Sequence, residues 1–411
     1  MRGFERRDLL RGGLAVGGAI GLQACTGGAR PALSSGPSPR FSTPKLQPLR
    51  LTPDQLIDVK CCIRPLRAAG PNLGTEQIGD TLVIHNYGHG GSGWSLSWGS
   101  AEVAVGKAMA VLPTEIAVIG CGIVGLTTAV MAQRAGLKVT IYAREMIQRT
   151  RTFRASGSFT PDSRVALGGP AGPQFGDLWE QMARFSWKAF RTYLGLPGNP
   201  VAFHDSYGLS DTPMVRHVEK ADPEIKGDWS TMGLPQQNSE FGHYSDRIAD
   251  IVPGPQMLSA EENPFGTEHA NRTSEMYFNF SSYAHTLLQE FFQNGGHFVN
   301  RDFHSPSEVT GLREKVVIHC TGYAARDLWG DKTIIPVRGQ TGWLVPQPGA
   351  DYSIRYKTGM AMSKADGVVI MHFEKGLGEM QGVGNSMELP DKADVELALA
   401  DMAPLFAGKG A

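Results

Sequence analysis

Two glycine clusters hold most of the chemistry this chain can do. The first is Ile116-Ala117-Val118-Ile119-Gly120-Cys121-Gly122-Ile123-Val124-Gly125. An apolar run leads into it and a helical pattern follows, so Gly120, Gly122 and Gly125 fall where a strand turns into a helix. There the first glycine allows the tight turn, the second lets a pyrophosphate approach the backbone, and the third lets helix and strand pack closely. The free N–H groups at the helix start, around Ile123 and Val124, and the positive end of its dipole suit phosphates. The acidic residue expected about twenty residues on, to meet a ribose, is Ala143 here, which leaves Arg144 or Glu145 for that task. The second cluster is His85-Asn86-Tyr87-Gly88-His89-Gly90-Gly91-Ser92-Gly93-Trp94-Ser95. Its glycines leave backbone amides bare for close contact with a planar ring. A helix starting near Ser95 would aim its N-terminus at that ring and favour negative charge on it.

These clusters need a scaffold. The 411 residues, 41% hydrophobic and 19% charged, are enough for a sizeable core and two domains. A net charge of -1 gives no reason to expect nucleic acid or acidic lipid partners. Five cysteines in so long a chain do not make a disulfide framework, and the adjacent Cys61 and Cys62 read as packing residues. Strands are expected over 56–62, 81–84, 115–119, 138–142, 315–319 and 367–373. Helices are expected over 95–109, 122–135, 178–194, 282–293 and 393–400. Residues 115–142 form one βαβ unit. Residues 197–279 are polar, rich in Gly and Pro and without a clear period, and read as a substrate-facing region of strands and loops. No metal cluster, catalytic triad or P-loop is apparent.

The second cluster resembles the flavin-contacting loop of D-amino-acid oxidases, which in that family lies near the C-terminus. Here it precedes the fingerprint with which that family begins, so the order of parts reads as circularly permuted. The joint would be Val111-Leu112-Pro113, with the new ends near residues 56 and 400. The resemblance implies an α/β fold: a Rossmann-like FAD-binding domain beside a substrate domain with a mixed sheet. Expected bounds are 51–195 and 283–340 for mainly the FAD-binding domain, and 196–282 and 341–411 for the substrate domain. By the same resemblance Gly90, Gly91, Ser92, Gly93, Trp94 and Ser95 contact FAD, and the Gly91 carbonyl also faces the substrate amine. Ser92 replaces a residue that is often Tyr, which implies a wider pocket. Thr150-Arg151-Thr152-Phe153-Arg154-Ala155-Ser156-Gly157 resembles the segment that wraps the pyrophosphate, matching at Thr150, Thr152 and Gly157, with Arg151 able to pair with phosphate. His319-Cys320-Thr321-Gly322 resembles the motif that closes the flavin domain and brings Thr321 and Gly322 to the cofactor. Val337-Arg338-Gly339-Gln340 and 382–386 match two further stretches.

Arg64, in Ile63-Arg64-Pro65-Leu66-Arg67, matches the arginine whose planar fork clamps the substrate carboxylate, and Arg67 matches a structural arginine. Tyr277 stands in for a substrate tyrosine. His85 and His89 read as hydrogen-bonded loop scaffolding, because hydride transfer from a free amine needs little beyond alignment. The implied activity is oxidative deamination of a D-amino acid to an imino acid that hydrolyses to a keto acid and ammonia. Oxygen, giving hydrogen peroxide, or another acceptor takes the electrons. Glycine-, sarcosine- or D-aspartate-type oxidases, a dehydrogenase serving a membrane acceptor, and a protein keeping FAD for structure alone are the alternatives.

Arg6-Arg7-Asp8-Leu9-Leu10-Arg11 before an apolar, glycine-rich run over 12–22 is a twin-arginine pattern. Residues 1–26 are thus expected to be an export signal to the periplasm. Leu22-Gln23-Ala24-Cys25 either is a lipobox that anchors Cys25 to lipid or lies at a small-residue cleavage site. Residues 27–50 read as a flexible linker.

Overall fold

The computed structural model describes residues 45–214 and 234–407, within the compact unit Thr43–Ala411. The twin-arginine pattern and Cys25 lie outside the described residues. The chain opens with β1 (Leu56–Arg67), β2 (Thr75–Ile78), β3 (Thr81–His85), α1 (Gly93–Met109), β4 (Glu115–Ile119), α2 (Ile123–Arg134) and β5 (Lys138–Ala143). A short α3 (Gly168–Ala171) precedes α4 (Phe175–Arg191), β6 (Val201–Ser210), β7 (Gln256–Leu258), β8 (His269–Phe278), α5 (Phe280–Gln293) and β9 (His297–Asn300). Then come β10 (Val316–His319), α6 (Ala325–Leu328), β11 (Ile334–Leu344), β12 (Tyr352–Tyr356), β13 (Gly359–Lys364), β14 (Gly367–His372) and α7 (Lys392–Met402).

The fold is α/β with two mixed sheets. The six-stranded sheet runs β2-β3-β10-β4-β5-β9, with β3, β10, β4, β5 and β9 parallel and β2 antiparallel at the edge. Its centre is apolar on both faces, as sequences flanked by helices must be: Ile116, Ala117, Val118, Val317 and Ile318 are fully buried. Helix α4 turns Trp179, Met182, Ala183, Ser186, Trp187 and Phe190 inward at helical spacing and packs on α1. The contact is close because α1 carries Gly99, where a Cβ would lie 2.1 Å from the Met182 carbonyl oxygen.

The eight-stranded sheet runs β1-β11-β14-β13-β12-β6-β8-β7, antiparallel except for the β12–β6 pair. Two stretches placed by sequence with the cofactor half, β1 and residues 334–340 of β11, lie in this sheet, paired from Leu56↔Leu344 to Arg67↔Ile334. The aperiodic region 197–279 supplies two of its longest strands, β6 and β8, paired from Val201↔Phe278 to Ser210↔His269. The polar residues of β6 find partners within the sheet. His204 Nδ1 meets the Ser363 carbonyl at 3.1 Å, and Asp205 pairs with Arg272 at 3.8 Å.

Helix α1 passes to β4 through an exposed turn in which Leu112 adopts φ 49° and is 80% exposed. At the other end of the order, Leu49 and Leu51 share one apolar cluster with Leu399, Met402 and Leu405, and the Tyr352 hydroxyl donates to the Gln47 carbonyl at 2.8 Å. Residues 45–50, expected from sequence to belong to a flexible linker, are therefore packed on the fold, with the Arg50 backbone bonded to the Gln347 side chain at 2.8 and 3.0 Å.

Candidate functional site

A cavity of about 690 Å³ opens where the two sheets meet. The ends of β4 and β10 and the turn before α2 form one wall, the glycine loop and residues 149–156 another, and β1 with β11 a third. Gly120 turns the chain at φ 103°, with the Cys320 carbonyl 2.6 Å from where a Cβ would stand. Gly125 has the Gly120 carbonyl oxygen at 2.1 Å from its missing Cβ, which is the close packing expected of that glycine. Gly122, Ile123 and Val124 face the cavity, and the Ile123 amide donates to Thr152 Oγ1 at 3.0 Å. Thr150, Arg151 and Thr152 thus close over the start of α2, and Trp94 Nε1 donates to the Thr152 carbonyl at 3.0 Å. Thr321 and Gly322 also face the cavity. Arg144 and Glu145 line its far end beyond β5, where Arg144 pairs with Asp302 at 3.7 Å.

In the glycine loop, Gly90, Gly91, Gly93 and Trp94 line the cavity. Gly90 has φ 57°, and a Cβ there would sit 1.7 Å from the Arg164 carbonyl oxygen, so no other residue fits. Ser92 and Ser95 do not line the cavity, contrary to the sequence expectation. The Ser92 hydroxyl contacts the Thr160 and Ser163 carbonyl oxygens at 3.1 Å each, and Ser95 Oγ accepts the Thr160 amide at 2.8 Å. Their hydroxyls staple the loop to residues 158–163. Gly157 lies behind the wall as well, at φ 85° with Phe280 Cε1 2.6 Å from its missing Cβ. Tyr277 is fully buried in the core, its hydroxyl donating to Glu275 at 2.5 Å, and does not line the cavity. Side chains alternate along β8, so Tyr277 lies on the face opposite Phe278, which stacks on the cavity residue Trp94.

Arg64 lines the cavity and, among the described residues, has no carboxylate partner; its one hydrogen bond is a long contact from Nη1 to the Arg338 carbonyl at 3.4 Å. Arg67 by contrast is tied to Asp331 at 3.0 Å and to the Gly70 carbonyl at 2.9 Å. Sequence reasoning missed Glu388, which reaches the cavity from the irregular stretch before α7 and pairs with both Arg151 and Arg154, the latter at 2.6 Å. It also missed that Asn86 and His89 line the cavity with Asn86 Oδ1 and His89 Nε2 buried and without a partner. His85 is hydrogen-bonded, as scaffolding should be; the His89 ring is not. Burial pushes the His89 pKa down to about 4, so its imidazole is neutral at neutral pH.

The cavity fits a dinucleotide with a planar, nitrogen-bearing ring. Bare glycine backbone at 122 leaves room where a side chain would intrude, and the unpartnered Asn86 and His89 atoms offer hydrogen bonds that the protein itself leaves open.

The family model described as FAD dependent oxidoreductase, DAO, matches residues 115–409. The chain is 26% identical over 242 residues to the D-amino-acid oxidase of Streptomyces coelicolor, covering 57% of this chain and 60% of that one. It is 50% identical over 52 residues to the D-aspartate oxidase of Cryptococcus neoformans var. grubii, covering 12% and 13%. It therefore spans under two thirds of the length of these curated relatives. Among solved structures, the L-amino acid deaminase from Proteus vulgaris is similar at 12% identity and a TM-score of 0.47, over 72% of this chain and 81% of that one. A strand–turn–helix with its glycines against the cavity, matched across most of the chain by one family, leads to a single conclusion: this chain belongs to the DAO family of FAD-dependent oxidoreductases.

Proposed function

We propose that this protein oxidatively deaminates amino acids, with D-amino acids as its substrates. FAD, when bound, supplies the acceptor for a hydride from the substrate α-carbon. Gly122, Ile123, Thr152, Thr321 and the glycine loop would hold it. The observation that carries the reading is Arg64, a cationic fork in the cavity wall with no carboxylate of the protein's own. A substrate carboxylate supplies the missing partner, and the bidentate geometry fixes how the α-carbon is presented. Burial holds His89 neutral at neutral pH, which makes its ring a poor base for the substrate amine. The resemblance of the chain to proteins named D-amino-acid and D-aspartate oxidase supports the D configuration.

The test is anaerobic: the flavin absorbance of the purified protein is followed as single D- and L-amino acids, glycine and sarcosine are added. Bleaching by one or more D-amino acids, and not by their L-forms, is expected. Bleaching by L-amino acids alone, or by none, overturns the proposal. Repeating the bleached sample with oxygen, then with a quinone, identifies the electron acceptor.

We also propose that the chain is a circularly permuted form of its family, with the joint at residues 111–113, and that it is exported folded to the periplasm by the twin-arginine route. Replacing Arg6 and Arg7 by Lys should leave yellow protein in the cytoplasm. Unchanged export removes that assignment, and a lipid-mass shift on Cys25 in the wild type decides whether it is anchored.

A further inference from the structure

A hydrogen-bonded chain of four side chains, two of them buried histidines, runs from the surface to the cofactor cavity. Glu76, on the edge strand β2 and half-exposed, meets His85 Nε2 through Oε2 at 3.2 Å. His85 Nδ1 faces His319 Nδ1 at 3.1 Å, and His319 Nε2 faces Thr321 Oγ1 at 2.6 Å. Thr321 lines the cavity. Both imidazoles are buried, and Trp329 stacks on His319 at 3.8 Å between ring centroids while donating from Nε1 to the same Glu76 oxygen at 3.0 Å. Around the pair stand Tyr87, and Arg67 with its partner Asp331.

Hydrogen counting gives this chain one direction. Two Nδ1 atoms in contact can hold only one proton between them, and burial disfavours charging either ring. A carboxylate oxygen already accepting from an indole N–H can only accept, so His85 must donate to Glu76 from Nε2. Its Nδ1 is then a lone pair, which accepts a hydrogen bond from the N–H at His319 Nδ1. His319 Nε2 is left as a lone pair and accepts a hydrogen bond from the Thr321 hydroxyl. We propose that Glu76, His85 and His319 form a directional relay that holds the Thr321 hydroxyl as an acceptor toward the cavity, where it receives a hydroxyl or N–H group of the bound cofactor rather than a phosphate oxygen. This rests on the reading that Thr321 touches FAD. His85 and His319 are positioning residues; neither lines the cavity.

Selective histidine 15N labelling of the cofactor-loaded protein reads the direction without using activity. His85 is expected with its proton on Nε2 and His319 with its proton on Nδ1, the less common form in water. A His319 proton on Nε2 overturns the proposal. Thr321→Val is expected to weaken FAD binding by roughly two- to tenfold, the range of one hydrogen bond, measured by flavin fluorescence on reconstitution. Glu76→Ala should shift the His319 proton away from Nδ1 and weaken binding by a similar factor, and the double variant should lose no more than Thr321→Val alone. Far-ultraviolet circular dichroism and the thermal midpoint report whether Glu76→Ala keeps its fold. Unchanged FAD affinity in Thr321→Val removes the contact with the cofactor while the spectra still decide the direction, so the two failures are distinguishable. Additive losses in the double variant overturn the coupling.

Discussion

The guanidinium of Arg64 lies against the backbone of Gly339, which has no side chain to hold it off. A Cβ at position 339 would stand 2.6 Å from Cζ and from both terminal nitrogens. The residue pairs with Arg64's own strand as Ile63↔Arg338 and Cys62↔Gly339, so β11 supplies a flat floor for the fork of β1. Arg64→Ala should lower kcat/KM for the preferred amino acid by on the order of 100-fold or more, since truncating one partner of such a pair costs roughly 2–5 kcal/mol. Arg64→Lys should recover part of the loss, because a point charge does not reproduce the fork. Gly339→Ala should raise KM while leaving the flavin bound. Steady-state kinetics with an amino acid and with the corresponding amine separate these effects; equal losses for both substrates would place the carboxylate clamp elsewhere.

Cofactor loading depends on Gly122. Thr152 Oγ1 lies 3.1 Å from its missing Cβ, and that hydroxyl also accepts the Ile123 amide. A branched side chain at 122 would enter the cavity and displace the threonine that caps α2. Gly122→Val should purify with little or no bound flavin, whereas Gly106→Ala, at a helix position with nothing within 4 Å of the missing Cβ, should keep full occupancy. The ratio of absorbance near 450 nm to that at 280 nm would read both variants. Full flavin content in Gly122→Val would show that the pyrophosphate does not pass this turn.

The parts of the site held by local backbone rules were legible in the sequence. Gly120, Gly122 and Gly125 declare their turn through spacing alone, and β4 ends at Ile119 as its apolar run predicts. What depends on long-range pairing was not legible. Ser92 and Ser95 sit in a motif that suggests ligand contact, yet their hydroxyls are claimed by carbonyls and an amide 65 to 71 residues away. Tyr277 has the right chemistry and the wrong face of β8. Glu388 lies in a stretch with no period and reaches Arg151 and Arg154 across more than 230 residues.

Acid stability should report on His89. Its folded-state pKa, about 4, lies below the ordinary value of 6.5 because the ring is buried without a charged partner. Between those values the unfolded chain binds a proton that the folded chain does not, so stability rises with pH across the window. The contribution is fully present above pH 6.5 and is lost as the pH falls toward 4. It amounts to roughly 3 kcal/mol at most. His85 and His319, also held below their ordinary values by burial, act in the same direction. Urea unfolding between pH 4 and 7 should therefore show a shallower pH dependence for His89→Asn than for the wild type. Parallel curves would mean that His89 is solvated or paired in solution.

The proposed permutation predicts that the chain can be cut at its joint. The α1–β4 turn is short and exposed, with Val111 55% and Leu112 80% exposed, and Leu112 holds a left-handed conformation that costs a non-glycine residue energy. Its opening should remove strain rather than core contacts. The first and last described segments already share the cluster of Leu49, Leu51, Leu399, Met402 and Leu405. A chain beginning at Thr114, joined from Ala407 to Lys45 by a flexible Gly/Ser linker and ending at Leu112, would restore the family's order of parts. It should fold, bind FAD and melt within a few degrees of the parent, because cuts at exposed loop tips are well tolerated. Joining the ends must span only the surface between two segments of one cluster. Flavin content and the thermal midpoint read the outcome. An insoluble or flavin-free product, in a chain whose linker length has been varied, would show that the α1–β4 connection does more than tie two parts of an older order together.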